Sequence, residues 1–501
     1  MRTLYTVKYF TPSPKILSCK PLWPTALLLL ASAALQAQCP AVAADLATEL
    51  RCATRQEPLA AQHELDAEHS YTLSELIDIA ERSHPRTRIA WEQARAAAER
   101  TGLARSEYLP HLAGMATFLN QKIINPFPRP LAPHGYTMVE MPVAEAGLSL
   151  GYTLLDFGRR HAQLEESKAQ ALASAAHFER ENQSVAFAVI TAYHRLTNAQ
   201  QKLTARRQIL ETAQTIEHAA EAQLANGRAT LPDLLDARAG RAKAEFELED
   251  AIGEEQSARV TLRESLGIPP SDQIHIAAPA AQGSESDSAP DVQALVDQAL
   301  ASRPDLAALA ERLKAANLAT DQARSAYLPT VDFNARGSVQ AIWPTVSKQD
   351  GSALADTAHF VWETGLTIHW DFFDGGARRS HLLVAQSEAE KSAEEKRDAT
   401  DAITRATWTA WVGYRTAARR MTAAESLLTA ASSSYSSSLE AYNYGVKNLI
   451  DLVHAEQQLA EARLAVVEAR SALLTAQANL GYTTGTLLRS STASPSEVIQ
   501  K

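Results

Sequence analysis

The side chains that most often carry chemistry occur in this sequence, but their spacing does not match a catalytic site. The fourteen histidines lack the short separations at which histidines bind a metal ion together. The sequence shows neither a glycine-rich phosphate loop nor a nucleophile elbow. Its three cysteines, Cys19, Cys39 and Cys52, are too few for a disulfide framework. We therefore expect no enzymatic activity, no metal site and no cofactor.

The acidic residues of most interest follow two points at which a long helix must reverse direction. Asp233 and Asp236 come after Asn226-Gly227, and Asp451 comes after Tyr444-Gly445. Each glycine is a natural helix stop. Acids in the first turn of a returning helix stabilise it through its dipole, and this is the simplest role for Asp233 and Asp236.

These turns belong to a chain that is duplicated. The run A-R-S-E-Y-L-P at 104–110 recurs as A-R-S-A-Y-L-P at 323–329, and each copy is preceded by a proline, Pro85 or Pro304. The run L-D-F-G at 155–158 recurs as F-D-G-G at 373–376. Two long copies of one unit predict a single structure made of two halves. We assign residues 71–267 and 291–485 to the two repeats and 268–290 to a linker.

The N-terminal region has the features of an export signal. Basic residues precede the apolar run Ala26–Leu35, and Ala41-Val42-Ala43 provides a small-residue cleavage site. The run is shorter than the roughly 20 residues of a membrane span. We therefore assign residues 1–43 to a cleaved signal rather than to an uncleaved anchor. Lipid attachment at Cys39 is an alternative that Gln38 fits poorly. Residues 44–70 read as a flexible lead-in and 486–501 as a disordered tail.

Each repeat contains two stretches whose side chains alternate as in a β-strand. Apolar residues alternate over 112–118 and 148–156 in the first repeat, and over 331–335 and 361–373 in the second. Between the strands lie loops that contain Pro126 and Pro344. Strands of about ten residues are the length that crosses a membrane at a tilt.

Long helices follow each strand pair. No proline or glycine occurs between Gly158 and Asn226, so a helix there would be about 100 Å long. Hydrophobic residues recur every seven positions, with alanines between them, as in a close coiled-coil seam. The seam residues are Val189, Leu196, Leu203 and Leu210 with Ala192 and Ala199, then Leu452, Leu459, Val466, Leu473 and Leu480 with Ala455, Ala462, Ala469 and Ala476. Each long helix is predicted to return as one of about 35 residues. Two shorter helices should precede the first strand, one capped by Thr72 or Ser74 and ending near His84, the next over 86–107.

Four strands per chain cannot close a membrane barrel, because small barrels need at least eight. Several copies must therefore share their strands, and three copies would give twelve. The same copies would share their helices as a tube, so the architecture predicts a conduit.

Over residues 72–485 the chain resembles the TolC family of bacterial outer-membrane efflux and secretion channels. The resemblance rests on the duplicated motifs and on the turns N-G-R-A-T-L-P-D-L-L-D-A at 226–237 and Y-G-V-K-N-L-I-D-L-V-H-A at 444–455. It implies a mainly α fold with membrane β, in which a homotrimer forms an α-helical barrel topped by a shared twelve-strand β-barrel. It implies a location in the outer membrane, in contact with its lipid, with extension into the periplasm. The partners would be a periplasmic adaptor and an inner-membrane pump of RND or ABC type. The net charge of −10 argues against nucleic acid as a partner.

The resemblance also assigns roles to residues at the turns. Asp233, Tyr442 and Lys447 stand where the family places an aspartate, a tyrosine and an arginine that hold the periplasmic tip closed. Asp451 matches an aspartate that forms an acidic ring, which favours cations. Two residues depart from the family pattern: Lys447 lacks the bidentate geometry of arginine, and His454, in place of a second aspartate, titrates near neutral pH. Asp236 is the remaining gate candidate.

Two further sets of residues are assigned through the resemblance. The adaptor-docking turns comprise Asn226, Gly227, Arg228, Gly445 and Val446. The aromatic belt of the membrane interface comprises Trp362, Trp370, Phe372 and Phe373, with packing against a neighbouring strand as the alternative.

Two rival interpretations belong to other classes of protein. A periplasmic coiled-coil adaptor or scaffold also has long hairpins, but it lacks paired membrane-length strands. An enzyme with a helical accessory region is disfavoured by the missing motifs. Within the channel reading, the sequence does not separate efflux from type I secretion, and it does not identify the cargo.

Overall fold

The computed structural model describes residues 69–126, 128, 134–269, 274–277, 291–343, 345–346, 357–444 and 446–488. Two series of elements follow one another in the same order. The first comprises β1 (Ser70–Tyr71), α1 (Leu73–Ser83), α2 (Pro85–Ser106), β2 (His111–Pro126), β3 (Tyr136–Leu155), α3 (Arg159–Ala225) and α4 (Leu231–Leu266). The second comprises β4 (His275–Ile276), α5 (Val292–Ser302), α6 (Pro304–Ser325), β5 (Thr330–Ile342), β6 (Thr345–Val346), β7 (Thr357–His369), α7 (Ala377–Asn443) and α8 (Leu449–Thr484). The predicted duplication is thus confirmed at the level of the fold.

The short helices begin and end where the sequence predicts. Thr72 caps α1, and its backbone N–H donates to Glu75 Oε2 over 2.7 Å in a capping box. The helix ends at Ser83, because the residue before a proline avoids helical geometry. The Ser83 hydroxyl donates to the carbonyl of Leu266 over 2.7 Å. In the second half, Ser302 donates to the carbonyl of Thr484 over the same distance.

The four long strands form one antiparallel sheet in the order β2-β3-β5-β7, with β6 paired to β3. The strands contain 16, 20, 13 and 13 residues, so the expected length of about ten is wrong. Hydrogen bonding between β2 and β3 continues in register to Pro126 after the alternation of side chains has stopped. Pro126 is tolerated because it ends the strand. By contrast, β7 ends at His369, four residues before the expected end at Phe373.

The two faces of the sheet differ in polarity. Leu148, Gly337 and Trp362 are register neighbours on one face, which continues with exposed Leu112, Phe360, Leu366 and Ile368. Ser149, Arg336 and Glu363 are register neighbours on the opposite face. Arg336 there pairs with Glu145, and Thr153 donates to Asp332 over 2.7 Å. Among the described residues, neither β2 nor β7 has a partner on its outer side.

Each strand pair leads into a long helix through the same junction. Asp156 accepts hydrogen bonds from the backbone N–H and Nε of Arg160, at 2.9 and 2.8 Å. The guanidinium of Arg160 lies 5.1 Å from the ring centroid of Tyr108. Asp374 makes the equivalent bonds with Arg378, which lies 5.4 Å from the ring of Tyr327. The duplicated Y-L-P and D-x-G motifs therefore meet in space and fix the angle between sheet and helix.

The helices that follow form two long antiparallel hairpins. Helices α3 and α7 contain 67 residues each, about 100 Å, and their partners α4 and α8 contain 36 residues each. The hairpins lie side by side through contact of α3 with α8. In the described part of the chain, no helix is both long and apolar enough to cross a membrane.

The predicted seam is confirmed in part. Val189, Leu196, Leu452 and Leu459 are buried, together with Ala192, Ala199, Ala455, Ala462 and Ala469. Leu203 and Leu210 are only half-buried, because Ile209 and Ala213 occupy the core positions at that level. The predicted Val466, Leu473, Ala476 and Leu480 are also only half-buried. Helix α7 has a seam of its own at intervals of seven, formed by Ile403, Ala410, Ala417, Ala424, Ala431 and Ser438.

Several assignments at the ends of the chain lie outside the described residues. These are the signal at 1–43 with Cys39, the lead-in to residue 68, most of the linker and the tail beyond 488. Where they overlap the structure, the boundaries differ from expectation. Ser70, assigned to the lead-in, pairs with His275 in the linker, and Leu487 in the tail is buried against the core. Strand pairing thus begins before the predicted first repeat, and apolar burial continues past the predicted second repeat.

Candidate functional site

The candidate site is the pair of turns that reverses the hairpins, far from the sheet. In the first turn, the N–H of Arg228 donates to the carbonyl of Gln223 over 2.8 Å, and that of Gly227 donates to Leu224 over 3.0 Å. Gly227 has a φ of 69°, the left-handed conformation that this helix ending requires. The side chains of Asn226 and Arg228 are exposed. Gly227 is thus a helix stop at an accessible surface.

The second turn repeats this arrangement with different side chains. The N–H of Val446 donates to the carbonyl of Ala441 over 2.8 Å, and Tyr444 donates to Glu440 over 3.0 Å. Gly445, predicted to dock an adaptor, lies outside the described residues. Val446 is 80% exposed and Tyr444 85% exposed. The turn therefore presents large apolar side chains at its surface.

The two returning helices use their first acidic residue differently. Asp233 accepts hydrogen bonds from the backbone N–H and hydroxyl of Thr230, at 2.8 and 2.7 Å, and completes a capping box for α4. The Thr230 hydroxyl, with the backbone N–H, lowers the pKa of Asp233. At the equivalent position in α8, the Asp451 N–H donates to Asn448 Oδ1 over 2.8 Å. No described residue donates to the exposed Asp451 carboxylate, which leaves its charge directed to solvent.

Tyr442 lies in the apolar cluster that joins the two hairpins at the tip. The cluster draws on all four long helices: Ile216 and Ala220 from α3, Leu234 and Ala237 from α4, Tyr442 from α7, and Leu449 and Leu452 from α8. Tyr442 is 7% exposed. Burial raises its pKa, and the carboxylate of Asp233 raises it further. The structure thus brings together two of the three residues expected to hold the tip closed.

Lys447, the third of them, makes its contact within its own hairpin. Its Nζ donates to Ser438 Oγ over 2.9 Å. Ser438 is the last small residue of the α7 seam and is 1% exposed. Sequence analysis did not single out Ser438, because a serine in a helix next to other serines gives no signal of burial. The contact ties the end of α7 to the start of α8.

The remaining gate candidates are exposed. Asp236 and His454 occupy equivalent positions in α4 and α8, one helical turn after Asp233 and Asp451. His454 Nε2 lies 3.3 Å from Gln458 Nε2 on the same face of α8. Asp451 and His454 share that face, because residues three apart on a helix are neighbours.

A set of exposed apolar residues at the tip escaped sequence analysis. They flank the two turns and comprise Leu231, Leu235, Tyr444 and Ile450, next to the predicted Val446. The sequence feature that could have identified them is the occurrence of bulky apolar residues beside helix caps, where polar residues are usual. Together they give the tip an apolar surface around its charged side chains.

The predicted aromatic residues lie at two levels of the sheet. Trp362 lies within β7 on the apolar face and is 71% exposed. Trp370, Phe372 and Phe373 follow the end of β7, where Trp370 Nε1 donates to the carbonyl of Tyr327 over 3.2 Å. Among the described residues, no cluster of side chains suits a metal ion.

The chain is similar in sequence to one protein family and its members, and similar in fold to solved outer-membrane channels. The profile of the family described as "Outer membrane efflux protein" matches residues 76–268 and 295–486. The chain is 27% identical over 319 residues to Protein CyaE of Bordetella pertussis, an alignment that spans 64% of each chain. It is 22% identical over 387 residues to the outer membrane efflux protein BepC of Brucella suis, with 77% of this chain and 79% of BepC covered. Among solved structures, the outer-membrane channel OprN superposes with a TM-score of 0.69 at 22% identity, over 83% of this chain and 90% of OprN.

Proposed function

Because the chain belongs to the outer membrane efflux protein family, whose profile matches both of its halves, we propose that it is the exit duct of a tripartite system. Three copies form a channel through the outer membrane, with a helical tube in the periplasm. Substrate delivered by an inner-membrane pump through a periplasmic adaptor leaves the cell through this duct. The chain spans 64% of the length of CyaE.

The observation that carries the proposal is the two-faced sheet with two open edges. A sheet with one apolar and one polar face fits a boundary between lipid and water. Its unpaired outer strands, β2 and β7, must be satisfied in a membrane, since unpaired backbone groups in lipid cost several kcal/mol each. Pairing of β2 in one copy with β7 in the next satisfies both. The four long strands among the described residues of each chain then give a closed barrel of twelve in three copies.

The polar face of the sheet supports the same assembly. Ser149, Arg336 and Glu363 are aligned across three strands, and the ion pair of Arg336 with Glu145 has the same orientation. Lipid would make such a face costly, whereas a water-filled lumen solvates it. Trp362 lies on the opposite face, and Trp370, Phe372 and Phe373 follow the end of β7. We assign all four to contact with the outer-membrane lipid.

The turns at the far end form the gate in this proposal. The cluster around Tyr442 holds the hairpins together, and the contact of Lys447 with Ser438 fixes the second turn. In three copies, the free carboxylate of Asp451 becomes a ring of fixed negative charge, which favours cations. Asp236 and His454 are exposed one helical turn further along the returning helices, and we assign them to the same constriction. Asp233 has two roles. It caps α4, and its negative charge helps to raise the pKa of Tyr442.

The apolar rim at the tip is the surface we assign to the adaptor. Val446 and Tyr444 are the most exposed members, and Leu231 and Ile450 extend the surface on either side. Asn226, Gly227 and Arg228 border it in the first turn, and Gly445 is their counterpart in the second. An adaptor hairpin with apolar residues at its tip would bury this rim. Efflux with an RND-type pump and type I secretion with an ABC-type pump both fit this arrangement.

Membrane fractionation followed by planar-bilayer recording tests the function. The protein should occur in the outer-membrane fraction and conduct ions after detergent extraction. Asp451→Asn should reduce the preference for cations, measured as the reversal potential in a salt gradient, whereas Glu461→Gln, which alters an exposed acid higher on α8, should change it less. Recovery as a soluble periplasmic protein without conductance would refute the channel and favour a coiled-coil scaffold.

A further inference from the structure

The contact between the two halves of one chain contains a compact polar and aromatic cluster. Arg180 of α3 lies with its Nε 3.7 Å from Asp305 Oδ2 in α6. Its guanidinium also covers the ring of Tyr482 in α8, at 3.9 Å from the centroid. Phe187, two turns further along α3, stacks on the ring of Tyr482, with ring centroids 4.6 Å apart. This cluster fastens the first hairpin to the second.

The duplication gives each member of this cluster a counterpart elsewhere in the chain. Helices α3 and α7 have the same length, and so do α4 and α8, and α2 and α6, each of which begins with a proline. Positions therefore correspond one to one along these helices. Asp398 in α7 is the counterpart of Arg180, and Arg405 is that of Phe187. Glu264 in α4 corresponds to Tyr482, and Arg86 in α2 corresponds to Asp305.

These four counterparts do not meet within one chain. Arg86, Glu264, Asp398 and Arg405 are all exposed. Helix α3 packs along α6 and α8, but in the described part of the chain α7 does not pack along the equivalent α2 and α4. Arg86 and Glu264 belong to α2 and α4, whereas Asp398 and Arg405 belong to α7, which does not pack along those two helices in the described residues. Each set therefore carries half of a contact that the chain makes once internally.

The charges of the two sets are complementary, and their polarity is the reverse of the internal contact. Inside the chain, α3 supplies the cation Arg180 and α6 supplies the anion Asp305. Among the exposed counterparts, α7 supplies the anion Asp398 and α2 supplies the cation Arg86. The aromatic stack of Phe187 on Tyr482 is replaced by a second pair of opposite charges, Arg405 and Glu264. Complementary charges at both positions point to a specific partner.

We propose that a second copy of this chain docks on α7 through intersubunit ion pairs between Asp398 and Arg86 and between Arg405 and Glu264. The inference rests on the proposed shared channel, and it identifies the contacts that assemble it. Apolar residues lower on the same helices agree with it. Leu464 of α8 packs on the cluster of Ile209 in α3, and their counterparts Phe246 and Leu427 are 68% and 50% exposed. A neighbouring copy would cover both.

The reversed polarity also selects the correct neighbour. On the second half of another copy, α3 already covers α6 and α8, and Asp398 would also meet Asp305, a like charge. If α7 docks on the first half, Asp398 faces Arg86. The pattern therefore favours head-to-tail association, which closes into a ring, over contact between two second halves.

Cross-linking in the full-length, detergent-extracted protein tests the geometry. Asp398→Cys combined with Arg86→Cys, in a background with Cys39→Ser and Cys52→Ser, should give linked multimers with a short bismaleimide. Arg180→Cys combined with Asp305→Cys is the matched control and should link within one chain, without a change in the number of copies. If the control links efficiently and the wild type assembles, but the first pair gives no multimers, the inference is wrong. A link between 398 and 86 within a single chain would equally overturn it.

Charge reversal tests the electrostatics independently. Asp398→Arg and Arg86→Asp should each raise the concentration for half-assembly by at least about tenfold, because like charges then meet across the interface. The double variant should recover most of that loss. A double variant no better than either single variant would refute the pairing. Failure of the wild type itself to assemble would instead refute the proposed channel, so the two outcomes are distinguishable.

Discussion

Removal of the Tyr442 side chain should open the tip of the channel. Tyr442 is 93% buried in a cluster to which both hairpins contribute. Aromatic-to-alanine substitutions in cores cost about 3–5 kcal/mol. If half of this packing joins the hairpins and is lost on opening, about 2 kcal/mol is removed from the closed state, a shift of about 30-fold in the equilibrium. Tyr442→Ala should therefore raise the open fraction strongly, as measured by single-channel recording in planar bilayers.

The phenylalanine variant separates packing from hydrogen bonding. The family resemblance predicts only that Tyr442 helps to hold the tip closed, and the structure places its ring among Leu234, Leu449 and Leu452. Tyr442→Phe retains the ring and should leave the conductance near that of the wild type. Tyr444→Ala removes a neighbouring tyrosine that is 85% exposed and serves as the matched control. The packing argument is refuted if Tyr442→Phe opens the channel as much as Tyr442→Ala, or if the alanine variant stays closed.

Three further predictions concern stability. The lowered pKa of Asp233 implies that its stabilisation is present above the ordinary aspartate pKa of about 3.9 and is lost as the pH falls through the lowered value. Asp233→Asn should therefore lower the Tm at pH 7 more than Asp236→Asn does, and the difference should disappear in acid. Burial raises the pKa of Glu456, so its contribution favours folding below about pH 4.3 and is lost as the pH rises through the raised value; Glu456→Gln should raise the Tm at pH 8, and the gain should vanish near pH 4. Gly267 has a φ of 71°, and a Cβ there would lie 2.9 Å from His84 Cα, so Gly267→Ala should cost about 1–3 kcal/mol in denaturant unfolding. Gly240→Ala meets nothing within 4 Å and should gain up to about 1 kcal/mol; a loss of stability there would contradict this reasoning.

The helical architecture follows from the sequence because its causes are local. The absence of proline and glycine after Gly158, and the glycine at each reversal, determine where the hairpins begin and end. The strand ends are less predictable, since β2 continues through Asn120 and Gln121 by pairing with β3 rather than by alternation. The seam of α7 was missed because alanines and Ser438 stand among exposed threonines and serines, and small residues give little hydrophobic contrast.

The candidate site shows the same division. The capping role of Asp233 depends on Thr230, three positions earlier, and can therefore be predicted from the sequence. The burial of Tyr442 depends on four helices, and the bond from Lys447 to Ser438 depends on the path of the turn. Neither contact follows from spacing alone, because each needs the register in which two hairpins pack. The duplication supplies part of that register, and it is the basis on which contacts between copies are inferred.

The number of chains in the detergent-extracted complex is the most direct test of the account. In the described residues, the sheet has four long strands and two open edges, so several copies are required to close a barrel, and three give twelve strands. Mass measured by light scattering, with the detergent contribution subtracted, should correspond to three copies of the mature chain in protein from the outer-membrane fraction. A single copy that remains stable and folded in solution would contradict the shared barrel, and with it the channel.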